Sequence, residues 1–192
     1  MKYNAKEHKR RSIRLKGYDY LQQGMYFVTV CTHDKKCNLG KVINDEMQLN
    51  KYGHIVEEEW FKTTDIRNNV ELDSYVIMPN HFHGIVIINC RGVLQYAPTN
   101  TIGKFQSPSQ TIGSIIRGFK STVTKQINIL RKTPGTPYWQ RNYYEHIIRN
   151  EKELNKIREY IQNNPLKWHL DRENPDREGN DRLEDEIFNK SL

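Results

Sequence analysis

The chain has 192 residues, of which 36% are hydrophobic, enough for one ordinary core and its appendages. Thirty Lys and Arg against 23 Asp and Glu give a net charge of +7, and the pI is near 9.2. That balance favours a polyanionic partner over an acidic substrate or a neutral small molecule. No apolar run approaches the roughly 18 residues that span a bilayer, and the basic N-terminus lacks the apolar segment of a signal peptide, so no membrane partner and a cytoplasmic location are expected.

A mean hydropathy of −0.85 predicts that part of the chain is peripheral and solvated. The cysteines, Cys31, Cys37 and Cys90, are odd in number and lack a Cys-x-x-Cys spacing, so reduced, mostly buried thiols are expected.

Residues 1–16 form a basic arm in which Lys9, Arg10, Arg11 and Arg14 stand out and Glu7 is the one acid. Such an arm suits phosphate contact that weakens steeply with salt; a solvated tail has the same composition. Residues 17–170 are expected to form a single domain, followed by a charged tail over residues 171–192 that either attaches loosely as a helix or stays disordered.

Met25–Thr32 is rich in aromatic and β-branched residues and should be the first strand, with Asn38–Asn44 as its hairpin partner. From Asn50 to about Ile66, Tyr52, Ile55, Val56 and Trp60 recur at helical spacing, which puts the acidic run Glu57–Glu59 on the solvated face.

Ser74–Asn89 contains two apolar, β-branched runs separated by Pro79 and Asn80, predicting two strands with His81 and His83 opening the second. Alternate residues of a strand share a face, so the two imidazoles lie about 6.6 Å apart along the chain and can converge on one divalent metal. The spacing equally suits one histidine in the core and the other at a turn.

Residues 91–106 read as a loop. Ser107 then fits an N-cap, with Pro108 in the first turn and Gln110 closing a capping box. The helix that follows buries Ile112, Ile115, Ile116, Phe119 and Val123. Lys104 before it, and Arg117, Lys120 and Lys125 on its polar side, are candidate nucleic-acid contacts.

A turn at 132–137 leads to a strand around Ile147 and Ile148, near which Trp139, Tyr143 and Tyr144 suit either packing or stacking on unpaired bases. A short helix comes next, with Asn150 as N-cap and Glu153 as its capping-box acid; Pro165 biases Asn164 out of the helix. Leu154, Ile157 and Ile161 make its apolar stripe, with Tyr160 and Asn164 along one edge. The order of elements is that of an α+β fold with an antiparallel sheet flanked by helices.

Met78-Pro-Asn-His-Phe-His83, Trp139-Gln-Arg-Asn-Tyr-Tyr-Glu-His-Ile-Ile-Arg149 and Ile157-Arg-Glu-Tyr-Ile-Gln-Asn-Asn-Pro165, in that order, resemble the single-tyrosine HUH transposases of insertion sequences, and among them the branch called REP-associated tyrosine transposases. The likeness runs from about Gly17 to Trp168. It implies a ferredoxin-like sheet, Tyr160 as nucleophile, and His81, His83 and Asn164 as ligands of Mg2+ or Mn2+. The implied activity is a single-stranded DNA endonuclease and strand transferase that forms a 5′-phosphotyrosine at hairpin DNA. His146 and Glu145, just before the nucleophile helix, are candidate supporting residues.

Neutral imidazole and amide ligands suit that chemistry, because they leave the metal its full charge for the scissile phosphate. A hairpin-binding module that no longer cleaves is the alternative. A non-haem iron site is a distant third, since it commonly takes two histidines and a carboxylate. Whether Tyr160 acts within its own chain or in a homodimer stays open.

Overall fold

The structure is a computed structural model that describes residues 23–89 and 111–189. The arm residues Lys9, Arg10, Arg11 and Arg14, as well as Cys90, Lys104 and Ser107–Gln110, lie outside the described residues.

Four strands build the main sheet: β1 (Gly24–Cys31), β4 (Val70–Ile77), β5 (His81–Ile88) and β6 (Tyr144–Ile148), in the order β4-β5-β1-β6. All three pairings are antiparallel. Taken with α1 (Lys51–Ile66) and α2 (Ile112–Leu130), the chain order is strand, helix, strand, strand, helix, strand. The result is the expected α+β, ferredoxin-like antiparallel sheet flanked by helices.

One sheet face carries Tyr26, Val28, Val30, Phe82, Val86 and Ile88, and packs on Val56 and Trp60 of α1 and on the apolar stripe of α2. Strand alternation sends Phe27 and Ile85 to the opposite face, where α3 (Glu151–Asn163) and α4 (Arg182–Asn189) cover them with Leu154, Ile157, Tyr160, Ile161 and Ile187. His81 and His83 have the parity of Ile85 and therefore face α3. Gly84 has the other parity, and a Cβ there would come 2.6 Å from the Trp60 ring.

Asn38–Asn44 does not pair with β1. Both edges of β1 are occupied, by β5 and β6. Instead β2 (Gly40–Ile43) pairs with β3 (Glu46–Leu49) in a separate ribbon. Asn44 and Asp45, with φ of 50° and 64°, close it through the two-residue turn that matches strand twist.

α1 begins as expected, with the Asn50 side chain accepting from the N–H groups of Tyr52 and Gly53. Its acidic run is not wholly solvated: Glu59 is buried and accepts from Lys62 and Gln126. α2 starts later than the Ser107 reading, at Ile112, because Thr111 is the extended N-cap and its hydroxyl oxygen accepts from Ser114 N. Ile112, Ile115, Ile116, Phe119 and Val123 are all buried.

Asn164 keeps right-handed helical torsions (φ −60°, ψ −42°) despite Pro165. The turn continues because Lys167 N–H reaches the carbonyls of both Asn163 and Asn164. Residues 171–189 are docked rather than loose: Ile187 is buried, and the Phe188 ring lies 4.7 Å from that of Tyr144. Cys37 is exposed, unlike the buried thiol expected, because it lies in the connection between β1 and β2. Among the described residues, no helix is long and apolar enough to cross a membrane.

Candidate active site

β5 carries His81 and His83, and α3 carries Tyr160, with Asn164 as its C-cap. Packing α3 on the sheet brings the four together, each at most 3% exposed. The imidazole centroids are 4.5 Å apart, and Tyr160 Oη lies 3.1 Å from His83 Nε2. α3 is fixed at its start by Asn150, which accepts from Glu153 N–H, while Glu153 accepts from Arg149 N–H. Along its length Arg158 forks onto both oxygens of Asp73, at 2.9 and 2.6 Å, at an irregularity in β4.

Each imidazole has its Nδ1 engaged. His83 Nδ1 lies 2.8 Å from Thr29 Oγ1, its neighbour across the β1–β5 ladder. His81 Nδ1 lies 2.9 Å from Asn80 Oδ1. Asn80 spends its amide protons on the carbonyls of Lys35 and Glu173, so its oxygen can only accept, and His81 must carry its proton on Nδ1. The Nε2 lone pair of His81 then points inward.

Among the described residues, two buried acceptors in the cluster have no hydrogen-bond partner: His81 Nε2 and Asn164 Oδ1. Asn164 Nδ2 donates to Asp171 Oδ2 at 3.2 Å, which turns the amide oxygen away from Asp171. Orphaned lone pairs of an imidazole and an amide fit a divalent cation. Burial lowers the pKa of His81 and, more strongly, that of His83, keeping both rings in the neutral form a metal requires.

The tail contributes residues that the motif reading missed. Glu184 Oε1 lies 3.3 Å from Tyr160 Oη and also accepts from Arg172 N–H. Phe188 lies against the Tyr160 and His83 rings at 6.1 and 6.3 Å, with Arg172 stacked 4.4 Å over it. Burial, then the charges of Asp171 and Glu184, push the Tyr160 hydroxyl well above its usual pKa, so it is protonated. Burial also raises Glu184 to about 7. One local signal did exist for α4: Asp181 caps it by accepting from Leu183 N–H, and Leu183 and Ile187 share a face.

The other candidates separate. Glu145 pairs with Val28 on the α2 side of the sheet and accepts from Tyr143, so it faces away from His81 and His83. His146 is on the α3 side but bonds to Glu153 at 2.9 Å. Lys120 is half-buried and donates to the carbonyls of Gln140, Arg141 and Asn142; desolvation lowers its pKa to about 8. Arg117 and Lys125 are exposed. Trp139 is buried in the core, which rules out stacking on bases there.

An uncharacterized protein of Haemophilus influenzae is 47% identical over 176 residues, covering 88% of this chain and 96% of that protein. This chain belongs to its family. No family model matches the sequence. Among solved structures, a REP-associated tyrosine transposase bound to a REP hairpin superposes with a TM-score of 0.56 at 21% identity, over 81% of this chain and 74% of that one. The shared feature at that identity is the fold: the antiparallel sheet with its flanking helices.

Proposed function

We propose that the protein is a metal-dependent single-stranded DNA endonuclease and strand transferase acting beside DNA hairpins, with Tyr160 as nucleophile and His81, His83 and Asn164 as ligands of Mg2+ or Mn2+. The observation that carries this reading is the buried convergence of Tyr160 Oη on His83 Nε2 at 3.1 Å, next to the orphaned acceptors His81 Nε2 and Asn164 Oδ1. The hairpin bound to the solved tyrosine transposase of like fold, together with the net charge of +7, supports DNA as the partner.

The chemistry a bound divalent ion supplies is withdrawal of charge from the scissile phosphate, which a phenol of ordinary pKa near 10 needs in its electrophile. Tyr160 Oη forms a bond to phosphorus as the bond to the 3′ oxygen breaks, leaving a 5′-phosphotyrosine and a 3′-hydroxyl. The phenolic proton has an acceptor at hand in Glu184 Oε1. Because the phosphotyrosine keeps the phosphoester energy, a new 3′-hydroxyl can reverse the step and join strands without ATP. Tyr160 is 3% exposed, so DNA reaches it after residues 171–189 shift.

A second reading, a hairpin-binding module without cleavage, is favoured by that same burial and by the protonated state of the Tyr160 hydroxyl. One experiment separates them. Labelled hairpin DNA with a single-stranded flank is incubated with Mg2+ or Mn2+ and run on a denaturing gel. A metal-dependent protein-DNA adduct, lost in Tyr160→Phe, establishes the transferase; salt-sensitive binding with no adduct establishes the binding module.

A further inference from the structure

We infer that Asp171 is a direct ligand of the metal ion at His81 and His83, so that the chain adds a carboxylate to the imidazole and amide donors. The inference rests on the metal site proposed above and extends its ligand set into the segment that follows α3.

Lone pairs converge here with too few protons to share. The Asn80 oxygen fixes the His81 proton on Nδ1, leaving Nε2 a pure acceptor. Asp171 Oδ2 faces that Nε2 at 3.6 Å, with the Asp171 side chain 1% exposed. Asn164 sends its N–H to Asp171 Oδ2, so the amide's own oxygen adds a further acceptor without a partner. Buried acceptors packed together with fewer donors than lone pairs are costly unless a cation lies among them.

The spacing is that of ligands around one ion. Donor atoms of His81, His83 and Asp171 all lie within 4.8 Å of one another. Two atoms each about 2.1–2.2 Å from a shared ion are separated by roughly 3.0–4.4 Å, depending on the angle between them. The 3.6 Å pair falls inside that range, and movements of a few tenths of an ångström bring in the widest.

Asp171 is also held in place beforehand. Its Oδ1 accepts from Glu173 N–H at 2.7 Å and its own N–H bonds to the Trp168 carbonyl, which leaves Oδ2 turned toward the histidines. A hydrogen-bonded, buried carboxylate loses little freedom on taking up a metal.

The test is titration of Mn2+ into the full chain without DNA, following free Mn2+ by its electron paramagnetic resonance signal and counting bound waters from coupling to 17O-labelled water. The expected result is one ion per chain, a Kd at least about tenfold weaker in Asp171→Ala and in Asp171→Asn, and one more bound water in Asp171→Ala. Asp171→Asn keeps the shape of the side chain and carries the affinity test if the alanine variant does not fold. An unchanged Kd in folded variants, or an unchanged water count in folded Asp171→Ala, overturns the inference and makes Asp171 the partner of a protonated His81. If the wild-type chain takes up no more Mn2+ than His81→Ala/His83→Ala, the metal site of the proposed function fails with it.

Discussion

Thr29 Oγ1 sits 2.8 Å from His83 Nδ1, directly opposite it on the neighbouring strand, so the orientation of one imidazole is set by a hydroxyl 54 residues earlier in the chain. Thr29→Val removes that partner and leaves a buried ring nitrogen unsatisfied. The expected cost is about 1–3 kcal/mol in a denaturant melt, with Mn2+ affinity falling roughly tenfold or more. Unaltered Mn2+ titrations would show that the hydroxyl does not orient the ligand.

Arg158, two residues before Tyr160, ties α3 to Asp73 through two hydrogen bonds. The guanidinium lowers the Asp73 carboxyl from its usual 3.8 to about 2. A carboxyl with a lowered folded-state pKa contributes stability that is present above 3.8 and is lost as pH falls toward 2. Asp73→Asn should therefore flatten the acid end of the stability-pH curve between about pH 4 and 2. A double-mutant cycle with Arg158→Met at pH 7 should give a coupling of about 1 kcal/mol.

Gly84→Ala tests the packing of α1 on the sheet, since the new methyl would meet the rigid Trp60 ring. Overpacking of this kind costs about 1–3 kcal/mol. The melt should move while Mn2+ affinity changes little, because residue 84 faces away from His81 and His83.

The paired strands around His81 and His83, and the caps and apolar stripe of α3, were legible because their signals are local: strand alternation and a capping asparagine. Where the structure differs from the sequence expectation, distant partners decide. Asn38–Asn44 has strand character, and only the occupied edges of β1 decide that it pairs with β3. Glu59 looks solvated until Gln126 of α2 arrives beside it. Asp171 and Glu184 carry no motif: the turn that follows α3 sets Asp171 beside His81, and the docking of α4 by Ile187 and Phe188 sets Glu184 beside Tyr160.

Only eight residues long, α4 holds that segment over Tyr160 with few buried side chains. Short, lightly packed elements open more readily than central strands. In hydrogen exchange followed by mass spectrometry, peptides of α4 should exchange well before those of β5 and α3. Equal protection of all three would make the cover part of the global unfolding unit.

In the proposed reaction Tyr160 itself becomes joined to DNA, and peptide mapping reads out that bond. A hairpin substrate with a short single-stranded flank is incubated with Mn2+, the protein is digested with protease and nuclease, and the nucleotide-bearing peptide is sequenced by mass spectrometry. The expected product is a 5′-phosphate ester on Tyr160, absent when Mn2+ is chelated. A modified peptide carrying any other residue, or cleaved DNA with no modified peptide, would contradict it.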